Sequence, residues 1–334
     1  MNFVSTIPDS WESLNDLIRT NLGLDDSVYV MGFTGLHHAL MEASNGLYRQ
    51  FPHKKKTHVF DFGTPYLKAI ARNLSMEAKD LVLGTQSDLH NLEKYADLGR
   101  EDLCAFIPED HPVTGEIFDT KELKDAFWEK KVITVSIFHH PTHWLSLPKE
   151  HVRQELRICY VNSNLVFASA GVRSKFPAPI AQGMNWRHLL NEEGLRPEFV
   201  NNENREWVSS FEADLPEGFL PVLDGKDSRL WDRVVLRCPD LDGEALQWEL
   251  AGLTGVSLPE DQVSPEIETT SPSRWSHLRT FEYMLDSPTS LKDVREILVI
   301  DSTWGQTVSL KEQLVEARKR VIEKQGDRLQ GAKV

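Results

Sequence analysis

Cysteine is scarce in this chain. Only Cys104, Cys159 and Cys238 occur among 334 residues. They stand far apart, each in or beside an apolar, strand-like run, so neither a disulfide framework nor a cysteine-rich zinc site is expected. Their placement predicts three buried free thiols in a reducing compartment. Long apolar runs are also missing, since nothing approaches the roughly 18 consecutive apolar residues of a membrane span. The first residues, Met1 to Glu12, lack the basic start and apolar stretch of a signal peptide. Basic residues are outnumbered, 37 Lys and Arg against 51 Asp and Glu, for a net charge of −14. An excess of that sign disfavours nucleic acid or an anionic membrane as a partner. No internal repeat or low-complexity tract is present. The expectation is a cytoplasmic globular protein without a nucleic-acid or membrane partner, long enough for one large domain and a smaller one.

Strand-like and helix-like stretches alternate from about residue 28 to 185. Ser27–Met31 reads as a strand, and Gly32-Phe33-Thr34-Gly35 opens a helix carrying Leu36, Leu40, Ala43 and Leu47 at helical spacing. Strands follow at Thr57–Phe62, Asp80–Gly84, Leu103–Ile107, Val132–Phe138, Leu156–Val161 and Leu165–Ala168, with a helix expected over about 120–130. Val132–Phe138 is mostly apolar, as a strand covered on both faces should be. Such alternation predicts an α/β fold with a mostly parallel central sheet, helices on both faces and right-handed crossovers.

After Trp186 the texture changes. The expected organisation is an N-terminal helical segment over 1–27 and a large α/β domain over 28–190. An irregular connecting segment over 191–230, rich in Asn, Glu, Pro and Gly, then leads to a small C-terminal α+β domain over 231–334. Within that last part, Trp231–Cys238 and Ser276–Leu285 read as strands. Gly243–Leu253, Ser290–Leu298 and the amphipathic run Leu310–Lys324 read as helices.

The densest signal lies in residues 108–123. An apolar strand, Leu103 to Ile107, runs into a polar turn holding His111, Pro112, Thr114 and Gly115. A helix start follows, with Asp119 or Thr120 as cap and Glu122 and Leu123 in the first turn. In an open parallel sheet, ligands sit beyond the C-terminal strand ends, which makes this turn a candidate site wall. Gly32 to His37 supplies free N–H groups at a helix N-terminus, suited to a phosphate, though a plain structural turn has the same glycines. Pro65-Tyr66 follows the second strand, where Tyr66 either stacks on a ligand or caps the sheet edge. Arg173-Ser174-Lys175 follows the strand pair 156–168, and Lys175 is either an ordinary surface lysine or a reactive one.

In this order and spacing, the four segments resemble fold type I pyridoxal-phosphate (PLP) aminotransferases, over about residues 28–185. His111 stands where that family's Asn-Pro-x-Thr-Gly turn has Asn. The resemblance implies Lys175 as the Schiff-base residue and acid–base group, and Tyr66 as the ring that stacks on the pyridine. It implies His111 as the partner of the phenolic oxygen, with Phe33, Thr34, Gly35, Arg173 and Ser174 around the phosphate. Arg279, in the C-terminal part, would fork onto an amino-acid substrate's carboxylate. An arginine on a solvated strand face fits Arg279 equally well. The resemblance also implies a homodimer.

Two positions depart from the family. It places an Asp at the end of the strand between turn and lysine, where it pairs with the pyridine nitrogen. Here that strand runs Val132 to Phe138 and continues His139-His140-Pro141-Thr142-His143, with no carboxylate. Ser136 or His139 takes the place. The family's Gly-x-Arg-x-Gly stretch has no clear counterpart after Gly183. These departures leave a second expectation beside the enzyme, an inactive aminotransferase-fold protein serving as a binding or assembly partner. A third rests on His139, His140 and His143 as metal ligands; Pro141 forbids a helical arrangement of them, and a solvated loop is the alternative.

Overall fold

The alternating pattern of the first half becomes one sheet with helices laid on it. The computed structural model describes residues 29–33, 36–62, 80–111, 114–140, 143, 154–162, 165–170, 203–231, 233–255, 296–301 and 309–331. Two compact units divide the chain. The first takes residues 1–112 and 117–198, and the second residues 113–116 and 199–334.

The first unit runs β1 (Tyr29–Phe33), α1 (Leu36–Gln50), β2 (Lys56–Asp61), β3 (Asp80–Thr85), β4 (Asp102–Pro108), α2 (Lys121–Glu129), β5 (Ile133–Phe138), β6 (Glu155–Asn162) and β7 (Leu165–Ala170). These strands form one sheet in the order β1-β7-β6-β5-β4-β2-β3. Five neighbours, β3, β2, β4, β5 and β6, are parallel. Strand β7 runs against β6, and β1 runs against β7. Only two residues separate Asn162 from Leu165, and a parallel crossover needs a dozen or more, so reversal is the only short solution.

Both faces of the sheet are covered. Every residue of β4 and β5 is buried, as expected of strands covered on both faces. On one face α2 lays Leu123 and Phe127 against Phe60, Ala105 and Ile107. Nine residues are too few for a stable isolated helix. Burying two large side chains, at about 1.5–3 kcal/mol each, is what holds it. On the opposite face lies α1, with Leu40, Ala43 and Leu47 buried. Its Tyr48 hydroxyl meets the Thr57 hydroxyl across to β2.

The second unit has α3 (Glu203–Glu212), β8 (Leu220–Pro221), β9 (Arg233–Arg237), α4 (Gly243–Thr254), β10 (Ile297–Asp301) and α5 (Leu310–Gly331). Its sheet, β10-β9-β8, is antiparallel. Helix α5 buries Leu310, Leu314, Ala317 and Val321, a stripe at helical spacing, in a core shared with Leu246 and Leu250 of α4 and Leu298 and Ile300 of β10.

Two expectations give way here. The stretch expected to be irregular over 191–230 contains α3, which forms because Trp207, Val208 and Phe211 share one helical face and pack into that core. The helix expected over Ser290–Leu298 does not reach Leu298, since β10 starts at Ile297 and buries alternate residues on both faces of its sheet. The strand expected over Ser276–Leu285 lies outside the described residues. No described helix is long and apolar enough to cross a membrane.

Candidate active site

Strand β2 has β3 on one side and β4 on the other, so the chain switches direction across the sheet between β2 and β4. In open α/β sheets ligands bind beyond the C-terminal strand ends at such a switch point. At the end of β4 stand Glu109, Asp110 and His111; at the end of adjacent β5 stand His139 and His140.

The β4–β5 ladder ends here in a specific way. The Glu109 N–H still donates to the Ile137 carbonyl at 2.9 Å, but the Glu109 carbonyl accepts from Phe118 N–H at 3.0 Å. The His139 N–H, which a continued ladder would bring to Glu109, donates instead to Asp110 Oδ1 at 2.8 Å. A side-chain carboxylate thus replaces the next rung. Beyond His140 the chain turns back, with His143 N–H donating to the His140 carbonyl at 3.1 Å.

That turn gathers three imidazoles around one carboxylate. His139 Nδ1 lies 2.7 Å from the Asp110 carbonyl oxygen and 2.9 Å from Oδ1. His143 Nδ1 lies 2.9 Å from Oδ2, and His140 Nδ1 stands 3.3 Å from Oδ1. The Asp110 side chain has 0% exposure. Burial alone would push its carboxyl up; the charge and hydrogen bonding of His140 and His143 outweigh that and hold it well below the usual carboxylate range. The field reaches Cys159, whose thiol is pushed well above its ordinary value by burial and by the Asp110 charge.

Glu109, the neighbour of Asp110, enters a separate buried network. It accepts from Thr120 Oγ1 at 2.6 Å and Lys124 Nζ at 2.9 Å. Lys124 Nζ also reaches Glu155 Oε1 at 3.4 Å. Glu155 in turn accepts from Ser136 Oγ at 2.8 Å and Arg157 Nε at 2.9 Å. Two carboxylates face two cations, so the group is neutral as a whole. Burial would raise the Glu155 carboxyl, but Lys124 and Arg157 hold it lowered. Burial would lower the Lys124 ammonium, but Glu109 and Glu155 hold it raised. Thr120 sits at the N-cap as expected, yet its hydroxyl makes no cap bond and serves Glu109 instead.

The turn after His111 has structural duties. Gly115 adopts φ +70°, a region that favours glycine. Its carbonyl accepts from Leu230 N–H at 2.9 Å, and Thr114 Oγ1 accepts from Glu116 N–H at 3.2 Å. Residues 113–116 pack within the second unit.

Of the residues singled out from sequence, His111 follows the end of β4 and His139 the end of β5 at the C-terminal sheet edge, and Phe33 ends β1 at the same edge. Thr34, Gly35, Tyr66, Arg173, Ser174, Lys175 and Arg279 lie outside the described residues. The histidine cluster is not the solvated loop offered as its alternative, because all three rings are buried. Nor do they surround a shared vacant point, since each turns Nδ1 to Asp110. Among the described residues no group of three or more His, Cys, Asp or Glu is placed to hold a metal. Asp110 is the residue sequence reasoning missed. Two consecutive carboxylates, Glu109 and Asp110, directly after the apolar run Leu103–Pro108 were the available signal, since burying either requires a partner.

No family model and no curated protein matches the sequence. Solved structures do match in fold. The phosphoserine aminotransferase SerC from Cytophaga hutchinsonii is 9% identical, with 92% of this chain and 87% of that one covered and a TM-score of 0.56. The sphingosine-1-phosphate lyase from Burkholderia pseudomallei is 9% identical, covering 96% and 79%, with a TM-score of 0.52. A NifS-like protein is 12% identical, covering 94% and 87%, with a TM-score of 0.51. The fold is therefore that of the fold type I PLP enzymes, in a divergent form.

The donor set at the sheet edge is compatible with a pyridine ring. At the end of β5, His139 is backed by the Asp110 carboxylate. An imidazole that gives its Nδ1–H to a carboxylate keeps an acceptor at Nε2. That is the capacity a ring N–H requires.

Proposed function

We propose that this chain binds PLP at the C-terminal edge of its seven-stranded sheet and acts on an amino acid, with Lys175 carrying the cofactor. The observation that supports this most is the Asp110–His139 pair at the adjoining ends of β4 and β5, beside the switch point. PLP, when bound, supplies an electron sink for bonds at the substrate's α-carbon. His139 faces the ring nitrogen, His111 hydrogen-bonds the phenolic oxygen, and Tyr66 covers the ring. Phe33, Thr34, Gly35, Arg173 and Ser174 hold the phosphate. Arg279 pairs with the substrate carboxylate, and Lys175 moves the proton at the α-carbon. The protein works as a homodimer in the cytoplasm.

A second reading, a cofactor-free binding or assembly partner, is favoured by one observation. The Asp110 side chain is sealed from solvent, so this carboxylate does not itself meet a ligand. One experiment separates the two. The full-length protein is titrated with PLP, its visible spectrum recorded, then treated with borohydride and mapped by mass spectrometry. A visible band and a fixed pyridoxyl mass on Lys175, both lost in Lys175→Ala, support the enzyme. No band in the wild type supports the binding partner.

A further inference from the structure

We propose that the buried His58–Asp102 pair is a proton-operated latch at the N-terminal edge of the seven-stranded sheet. With His58 neutral it fastens the starts of β2 and β4, and a proton taken up at Nδ1 loosens that edge. The pair stands at the opposite end of the strands from Asp110 and needs no cofactor.

An irregularity between the two strands assembles it. Lys56 pairs with Asp102 but Thr57 pairs with Cys104, so Leu103 is an extra residue on β4. The Glu101 carbonyl accepts from both Lys55 N–H at 2.8 Å and Lys56 N–H at 2.9 Å. A bulge of this kind re-aims side chains, and here His58 Nε2 lies 2.7 Å from Asp102 Oδ1. Asp102 gathers two further bonds. Its Oδ2 accepts from Gly99 N–H at 2.6 Å, and its carbonyl accepts from Lys54 Nζ at 2.8 Å. One residue thus ties together the start of β2, the turn before β4 and β4 itself.

The ring has no place for a second proton. An ionised carboxylate only accepts, so Nε2 carries the hydrogen and Nδ1 is bare. Nδ1 is buried and has no hydrogen-bond partner among the described residues. His58 is 5% exposed, with its ring edge-on to Phe127 of α2 at 5.1 Å and to Tyr95 at 6.1 Å between centroids. A proton at Nδ1 would set a charged donor without an acceptor among these rings, which is costly. Burial, the largest cause, holds the His58 imidazole below its ordinary value of 6.5. Lys56 on β2 and Lys94 beside Tyr95 act in the same direction, against the bond and charge of Asp102. Lys94 is in turn paired with Asp88 at 3.1 Å, and α2 presents the uncharged Phe127. The fold therefore favours the neutral ring. Its contribution is fully present above 6.5 and is lost as pH falls below that value, because the opened chain then binds the extra proton.

The test is amide hydrogen exchange of the full-length protein, read by mass spectrometry at about pH 7.5 and about pH 5.6 and corrected for the chemical exchange rate at each pH. If opening the edge lets His58 titrate at 6.5, the open population rises by up to about eightfold between the two conditions. Protection over residues 54–60 and 99–104 is expected to fall about fivefold, and protection in α5 by less than about twofold. His58→Gln keeps a donor for Asp102 but cannot take up a proton, so its protection over the same residues should agree within about twofold at the two pH values. Unchanged protection in the wild type, an equal loss in α5, or a loss that persists in His58→Gln overturns the latch. Should His58→Gln fail to fold, 15N-histidine titration of the wild type decides. The ring with proton contacts to Phe127 and Tyr95 is expected to titrate below 6.5, and titration at or above that value overturns the latch.

Discussion

His143 Nδ1 lies 2.9 Å from Asp110 Oδ2 although 33 positions separate the two residues. The link ties the turn after β5 to the end of β4, and through Oδ1 the same carboxylate holds the His139 main chain. One buried charge thus organises the centre of the C-terminal sheet edge.

Acid should unfasten it. The Asp110 carboxyl is held below its ordinary value near 3.8, so the fold favours the ionised form. Its stabilisation is fully present above that value and is lost as pH falls below it. Glu155 is shifted in the same direction. Asp110→Asn is expected to be less stable than wild type near neutral pH, and the gap should close below about pH 4. Urea unfolding at a series of pH values checks this; a gap that widens on acidification contradicts it.

Lys124 is the cation shared by Glu109 and Glu155. Lys124→Met leaves both carboxylates buried with Arg157 alone against Glu155. A loss of about 3–5 kcal/mol is expected, as for other buried pairs deprived of one member. Adding Glu109→Gln should recover part of it, because the second change removes a stranded charge. A double-mutant cycle by chemical denaturation measures the coupling.

Two glycines should respond unequally. A Cβ on Gly243 would fall on the Ile297 carbonyl, main chain that cannot swing aside. Gly243→Ala is expected to cost about 3 kcal/mol or more. Gly115→Ala meets Leu230 Cβ at 3.3 Å in a left-handed conformation, for which about 1–3 kcal/mol is expected. Thermal melts of the two variants should rank Gly243→Ala as the weaker protein.

The thiols should be silent. Burial pushes Cys104 up to about 12 and Cys159 well above its ordinary value. Cys238 is also raised, burial being the largest cause. Because the thiolate is the reactive form, native protein should take up no thiol reagent near pH 8, and unfolded protein should take up three. Mass spectrometry after short labelling counts them. A label on native Cys159 would mean that the sheet edge opens.

Local pattern carried much of the fold. Strand β4, the glycine turn and helix α2 were legible because an apolar run, a φ-permissive glycine and an amphipathic stretch each act over a few neighbours. The histidine cluster could be flagged, since its members are close in the chain. Its carboxylate could not, because Asp110 and His139 meet only when β4 and β5 pair. The reversal between Asn162 and Leu165 and the docking of β1 against β7 emerged only in the folded sheet.

The sequence by itself thus determined the element types, the mostly parallel sheet, the buried thiols and the turn at the end of β4, all consequences of short-range sterics and hydrophobic periodicity. Only the tertiary structure decided that three imidazoles spend their Nδ1 edges on one sealed carboxylate. Register between strands far apart in the chain set that, together with the cost of leaving a buried charge without hydrogen bonds.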